Sequence, residues 1–439
     1  MVLRTKWTCE LTEALDGKAV NVAGWVHSKR NLGGIRFLLL RDKTGIIQVT
    51  AIKKKLEPEL FATIASLSKE SVVSVSGQVK KNNQAPHGVE IIPETVTVLN
   101  PADTPLPLDV TGKVHAELDT RLDNRVVDLR RQNVTRVFII KDALLAEFRR
   151  KCDDEGFVEV HTPKIVAAGA EGGSTLFPIA YFDREAYLAQ SPQLYKQMLM
   201  GSGLDRILEI APAWRAEKSD TIRHLSEFIS IDMEMAFIES EEDVMGMLER
   251  VLAHALEHVR TSCSLQLEEM GVELPEVSIP FPRVTYSEAV ELINASSETE
   301  VEWGEDLSTE AEKVLGKIMA EKGHDLYFIT EYPSRIKPFY IMVNDERPEV
   351  CRAFDLEFSG MEITSGGQRE HRHDVLINRM KEQGLDTSDF TFYLDAFRFG
   401  MPPHGGLGLG IERVVQIILD VKNIRETVLF PRDRSRLVP

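Results

Sequence analysis

At 439 residues the chain is long enough for two or three domains, and 43% hydrophobic with 28% charged residues is the balance of a water-soluble globular protein. No apolar run approaches a membrane span, residues 1–7 lack the apolar core of a secretion signal, and Cys9, Cys152, Cys263 and Cys351 form no Cys-x-x-Cys pair, so a reduced cytoplasmic protein with no membrane contact and no zinc site is expected. A net charge of −17 argues against a general polyanion binder, but residues 1–100 hold 14 Lys and Arg against 9 Asp and Glu, which marks the front end alone for broad contact with a nucleic acid.

Residues 17–100 read as five short strands. Val20–His27, Ile35–Arg41, Ile46–Ile52, Val72–Lys80 and Val89–Leu99 carry apolar residues at period two, and a helix over Glu57–Ser66 follows the third strand. That order is expected of an oligonucleotide-binding barrel, which reads single strands on one face. Phe37 is a candidate to stack on an unpaired base, and Gln48 to offer an amide donor and acceptor. Lys29, Arg30 and Lys53–Lys55 would follow the phosphate backbone.

The proline-rich run Asn100–Leu108 stiffens the chain and marks a boundary. We expect a barrel domain over 1–105, a charged hinge over 106–132 and a second domain over 133–439. A helix from Val134 to Glu155 ends at Gly156, and Gly156–Pro163 reads as a strand. Glu171-Gly172-Gly173-Ser174 is a loop whose paired glycines leave the backbone loose. A helix opening at Ser191 puts Gln193 and Lys196 on one face. A strand ending in Trp214-Arg215-Ala216-Glu217 leads through a polar turn to Arg223-His224-Leu225 and a returning strand, Glu227–Ala236, that carries Asp232. Residues 238–335 read as an acidic helical insertion without chemistry, and Ile336–Val343 as a strand bearing Lys337.

The stretch Asp355–Arg369 is the most informative. Phe354, Leu356 and Phe358 alternate with Asp355, Glu357 and Ser359, so a strand would carry its acids on one face before Gly360 bends the chain towards Glu362. Carboxylates are the oxygens Mg²⁺ prefers, with phosphates completing its shell. Arg369 is a fixed cation suited to a two-point grip on a carboxylate. A metal-phosphate site beside a carboxylate clamp fits an enzyme joining a nucleotide to a small acid. Finally Gly405–Arg413 reads as a glycine loop opening a long apolar helix; it matches neither a Walker lysine motif nor Gly-x-Gly-x-x-Gly after a parallel strand.

Three of these stretches, in order, resemble the signature motifs of class II aminoacyl-tRNA synthetases: Gly156–Pro163, then Trp214–Glu217 with Arg223–Phe228, then Gly405–Arg413. With the N-terminal barrel, the whole chain resembles the archaeal-type aspartyl-tRNA synthetases; the one departure is Trp214, where that family usually has Phe. The resemblance implies an α+β fold, with a five-stranded barrel that binds the anticodon and a mainly antiparallel catalytic sheet flanked by helices. It implies that Glu171, Gln193, Leu194, Tyr195, Lys196, Arg215, Asp232, Ser365 and Arg369 bind L-aspartate. Arg215, Ala216, Glu217, Arg223, His224, Leu225, Glu362, Gly410, Ile411, Glu412 and Arg413 would bind ATP as substrate, and Asp355, Glu362 and Ser365 would ligate Mg²⁺. Lys196 and Arg369 together need an anion between them, which favours aspartate over asparagine. A homodimer through the first motif is implied, as are tRNA(Asp) and tRNA(Asn) as partners. For the latter, His27 and Pro86 stand where discriminating relatives are understood to carry a Trp and a Lys. The alternatives are a strict tRNA(Asp) enzyme, a non-catalytic RNA-binding paralogue, or an ammonia-dependent asparagine synthetase on the same fold.

Overall fold

The structure, a computed structural model, describes residues 3–167, 176–216, 221–296 and 298–439. The chain divides into two compact units, Met1–Arg131 and Gln132–Pro439.

In the first unit β1 (Ala19–Leu32), β2 (Ile35–Asp42), β3 (Gly45–Ile52), β4 (Val72–Lys81) and β5 (Val89–Asn100) close into a barrel in the order β1-β2-β3-β5-β4. The period-two pattern explains the closure: Val22, Leu38, Leu40, Ile47, Val75 and Ile91 all turn into one core. Helix α1 (Pro58–Ser66), between β3 and β4, buries Phe61 and Ile64 against Ala51. One charge is taken inside and fully met: Glu70 accepts from Arg41 at 3.0 and 2.8 Å and from Arg130 at 3.2 Å. Residues 106–132, expected as a hinge, carry helices α2 (Leu118–Asp123) and α3 (Arg125–Asp128), tied by Arg121 of α2 donating to the buried Asp128 at 3.0 Å.

The second unit opens with α4 (Gln132–Asp154), β6 (Val158–Glu159), β7 (Ile165–Val166), β8 (Pro178–Tyr181), β9 (Arg184–Leu188) and α5 (Gln193–Met200). It continues with β10 (Arg206–Trp214), β11 (Glu227–Ala236), α6 (Glu241–Ser262), α7 (Ser264–Met270), β12 (Arg283–Thr285), α8 (Tyr286–Ser296) and α9 (Thr309–Glu321). It ends with β13 (Leu326–Thr330), β14 (Ala353–Phe358), β15 (Glu362–Gln368), α10 (His373–Glu382), α11 (Thr391–Arg398), β16 (His404–Gly410) and α12 (Ile411–Ile418). Eight strands form one sheet in the order β12-β13-β14-β15-β16-β11-β10-β6, and β7, β9 and β8 a smaller one. Only the end pairs β12–β13 and β10–β6 of the large sheet are parallel.

One face of the large sheet is dry. Met233, Met235, Phe354, Leu356 and Leu407 pack there against Leu144 and Phe148 of α4 and Leu248 and Leu252 of α6. Strand alternation sends the polar neighbours of those residues to the opposite face, which α5, α8, α9, α10 and α11 cover with a second core. Residues 238–335 are not the purely helical insertion expected: they supply β12 and β13 of the central sheet as well as α6 of its main core. Ile336–Val343 makes only isolated bridges rather than a strand, because Pro338 has no N–H to give a ladder. Gly405–Gly410 is strand β16, hydrogen-bonded on both sides, rather than a loop, and the helix after it is only eight residues long.

Candidate active site

A cavity of about 360 Å³ lies on the polar face of the sheet, walled by β11, β15, β16, α5 and by Arg215, Arg223–Leu225 and Arg413. Its lining brings together Gln193, Lys196, Arg215, Arg223, His224, Leu225, Asp232, Glu362, Ser365, Arg369, Gly410, Glu412 and Arg413, residues spread over 221 positions of sequence.

At one end sit the two expected cations, and each already has a partner. Lys196 Nζ donates to Asp232 Oδ1 at 2.9 Å and to the Leu407 carbonyl at 2.8 Å, and lies 3.5 Å from Glu234. Arg369 gives Nε and Nη2 to Glu234 at 2.9 and 3.3 Å. The expectation of an unmet pair of positive charges is therefore corrected: two buried ammonium-type charges without anions would cost several kcal/mol each, and Asp232 and Glu234 neutralise them. What remains on offer is direction, a third Lys196 donor and the Arg369 Nη1 group. Burial acts to raise the Glu234 carboxyl, but Arg369 and Lys196 hold it below the usual carboxylate range.

The glycines of β16 make room for this. A Cβ on Gly406 would lie 2.1 Å from Glu234 Oε2, and one on Gly408 3.4 Å from Asp232 Oδ1, so the acids of β11 lie across the neighbouring strand. Behind them runs a neutral chain. Gln193 Nε2 donates to Gln197 Oε1 at 2.9 Å, Tyr393 donates to the same oxygen at 3.1 Å, and Gln197 Nε2 reaches His404 Nε2 at 3.2 Å. His404 Nδ1 faces the Pro402 carbonyl at 2.9 Å, so Nδ1 carries the proton; burial pushes this imidazole down to about 4.

At the other end four carboxylates crowd together: Glu312, Asp355, Glu357 and Glu362. Asp355 and Ser365 face each other in register across the β14–β15 hairpin. Lys337, over the Tyr332 ring at 3.7 Å, donates to Asp355 Oδ2 at 2.7 Å. Asp355 Oδ1 and Glu357 Oε2 are buried and meet no donor. Burial and neighbouring carboxylates push Glu357 well up, raise Glu362, and bring Glu312 up to about 7. Arg413 donates to the Glu362 carbonyl at 2.7 Å, Arg223 pairs with Glu312 at 2.9 Å, and Arg215 lies over the Phe228 ring at 5.5 Å.

Several expected site residues stand elsewhere. Leu194 and Ile411 are buried in apolar cores, and Tyr195 and Ala216 do not line the cavity, because a helix or strand shows the site only part of each turn. Glu412 reaches the wall but its carboxylate is occupied by Lys141 at 2.7 Å and the Ile229 N–H at 3.2 Å. Asp355 sits behind the lining, under Lys337. Glu171 and Glu217 lie outside the described residues. Sequence reasoning noted Lys337 without giving it a role and missed Glu234 and Glu312; of those two only Glu234 left a signal, two residues after Asp232 and so on the same strand face. Among the described residues no three His, Cys, Asp or Glu side chains form a preformed metal cage.

In the barrel unit, Phe37 pairs in register with Thr50 and Leu39 with Gln48, so Phe37 and Gln48 share the outer face. Phe37 is half-buried. The Gln48 amide nitrogen is committed to Thr50 at 3.1 Å and Glu90 at 3.0 Å, which leaves its carbonyl for a ligand rather than the full amide. His27 Nδ1 lies 3.2 Å from Arg41 Nη1, and burial and Arg41 push its ring down. Pro86 is exposed, at the start of the turn Pro86–Gly88. Lys29 caps the end of α1 through the Ala65 and Leu67 carbonyls, so it serves the fold instead of a phosphate.

Comparison with known proteins joins these observations. The family model described as tRNA synthetases class II (D, K and N) matches residues 117–434, and one described as OB-fold nucleic acid binding domain matches residues 20–99. An aspartate--tRNA(Asp) ligase of Thermococcus kodakarensis is 56% identical over 99% of this chain and 100% of its own. An aspartate--tRNA(Asp/Asn) ligase of Methanopyrus kandleri is 54% identical, covering 100% of both chains. The crystal structure of asparaginyl-tRNA synthetase from Pyrococcus horikoshii complexed with asparaginyl-adenylate superposes with a TM-score of 0.95 at 35% identity, covering 100% of both chains. No described helix is long and apolar enough to cross a membrane.

Proposed function

The chain belongs to the class II tRNA synthetases, and we propose that it activates L-aspartate with ATP and transfers the aspartyl group to the 3′ end of tRNA(Asp) and of tRNA(Asn). The observation that supports the amino acid is that Lys196 and Arg369 line the same end of the cavity, each with a donor beyond those it gives to protein carboxylates. A carboxylate oxygen accepts from both. An asparagine amide would turn an NH₂ towards one of them, and a buried donor facing a donor loses its partner. Asp232 and the Gln193 side-chain carbonyl, whose residues both line the cavity, would meet the substrate ammonium.

The first step needs no general base, because the α-carboxylate of aspartate is already ionised. One of its oxygens attacks the α-phosphorus, the bond to the β-phosphate oxygen breaks, and pyrophosphate leaves. Arg215 would meet the α-phosphate and Arg413 and Arg223 the distal phosphates, offsetting charge as it builds in line. The terminal ribose hydroxyl of tRNA then attacks the mixed anhydride and AMP leaves. The donor set fits a divalent cation: hard oxygens, an Asp355 Oδ1 with no donor, and carboxyls raised by crowding. Mg²⁺ commonly takes one or two carboxylates and completes its shell with phosphate oxygens, which agrees with the lack of a three-residue cage. Asp355, Glu362 and Ser365 would hold it, and when bound it would neutralise phosphate charge.

Aspartate-dependent ATP–pyrophosphate exchange tests this reading: aspartate should exceed asparagine by at least about 10³-fold, and comparable exchange with both sinks the assignment. For tRNA choice, support comes from Pro86, which offers no donor, and from His27, whose Nδ1 lies against Arg41. Relatives carrying either name are almost equally similar, so charging of a tRNA(Asn) transcript decides, and no product at saturating enzyme rejects the dual activity. The exposed Val158 of the first motif, with Ile165 just after it, supports a homodimer; a monomer mass in sedimentation would refute the dimer.

A further inference from the structure

Helix α9 is remote in sequence from every motif, yet it reaches the cavity rim. A Cβ on Gly316 would lie 2.5 Å from the Gly360 Cα, and one on Gly360 2.9 Å from the Glu312 carbonyl, so α9 rests directly on the bend between β14 and β15. The bend is tight, with Ser359 and Gly360 at φ 50° and 73°. This contact places the first turn of α9, capped by the Ser308 hydroxyl, beside Arg223. Glu312 Oε2 accepts from Arg223 Nη1 at 2.9 Å, and Arg223 Nη2 reaches the Gly360 carbonyl at 3.4 Å. The guanidinium is therefore bracketed by the helix on one side and the bend on the other, with side chains only 11% and 15% exposed across the pair.

We infer that Glu312 is a positioning residue for nucleotide binding: it holds Arg223 at the cavity rim, in place to pass to the distal phosphates of an incoming triphosphate. The inference rests on the reading that ATP occupies this cavity. Arg223 cannot lose its proton, so in the free protein it needs an anion or water, and left to water its long side chain would sample many rotamers. A single carboxylate that also faces Glu357 and Glu362 grips it weakly enough to yield to a polyphosphate.

Aspartate-dependent ATP–pyrophosphate exchange by the wild-type chain comes first; its absence removes the functional reading and says nothing of Glu312. Given exchange, Glu312→Ala should raise KM for ATP about tenfold, with kcat and KM for aspartate moved by less than about twofold. Glu312→Gln should fall between, because its amide oxygen still accepts from Arg223; it also answers alone should the alanine variant fail to fold. In an Arg223→Ala background neither change should add anything. A lower KM for ATP, an equal rise in both KM values, or an undiminished effect without Arg223 would each overturn the proposal.

Discussion

The two ends of the cavity solve the burial of charge in opposite ways. At the Lys196–Arg369 end every buried charge has an opposite partner, and Glu234 is held below its usual range by those cations despite its burial. At the Asp355–Glu362 end carboxylates face one another, two oxygens lack any donor, and Glu312, Glu357 and Glu362 are pushed up. A balanced cluster gains nothing from net charge in its ligand and discriminates by where its remaining donors point. A cluster that repels itself is stabilised by whatever brings positive charge. Amino-acid choice therefore belongs to the first end, and metal with polyphosphate to the second.

Removing divalent cations should separate the ends most sharply. With excess EDTA, ATP–pyrophosphate exchange should fall to background, while calorimetric binding of aspartate to the nucleotide-free protein should persist. Loss of both would mean the two ends are not distinct. Next in size is Lys196→Met, which keeps the length of the side chain but leaves Asp232 without its cation and Glu234 to Arg369 alone. Breaking a buried cluster by removing one partner costs about 3–5 kcal/mol, so exchange should drop by about 10³-fold. A loss under tenfold would contradict the balanced reading.

The ends should also titrate with opposite sign. His404 is pushed down to about 4 from an ordinary 6.5, so the unfolded chain takes that proton first and stability falls as pH drops through 6.5 towards 4. Glu312 is raised to about 7 from 4.5, so the folded chain holds the proton more tightly; its contribution is fully present below 4.5 and lost as pH rises through 7. Between pH 7 and 5 each amounts to roughly 2 kcal/mol, and in the wild type they oppose each other. Urea unfolding should therefore show His404→Gln gaining stability relative to wild type over that interval as the pH is lowered, and Glu312→Gln losing it. Parallel trends would refute the assignment of one cause to each end.

How much of this was legible in the sequence follows from what each feature depends on. Strand period two alone specifies the barrel, the returning strand with Asp232 and the Asp355 strand. Helical spacing alone puts Gln193 and Lys196 on one face. Glu234 is readable by parity, two residues after Asp232 on the same strand face. Gly405–Gly410 looks like a loop because glycines carry no strand pattern; in the strand they form, the missing side chain of Gly406 leaves room for the Glu234 carboxylate of β11. Glu312 and Lys337 could not be found locally. Each reaches the site only because β13 lies beside β14 in the sheet, which brings α9 and the segment after β13 over the hairpin.

The smallest effect offers the finest test. Glu357 is pushed well up, through burial and then Glu312, and its Oε2 meets no donor. Burial and its acidic neighbours therefore favour the protonated form, a neutral acid of about the size and polarity of an amide. Glu357→Gln should then change stability by less than about 1 kcal/mol and leave exchange close to wild type. Were Glu357 ionised and contributing its charge to the site, the same substitution would relieve repulsion on Glu312 and Glu362, lower the pH at which Glu312 titrates, and weaken the response of exchange to Mg²⁺. A shifted Mg²⁺ titration in Glu357→Gln would thus move the excess charge from Glu362 and Asp355 onto Glu357.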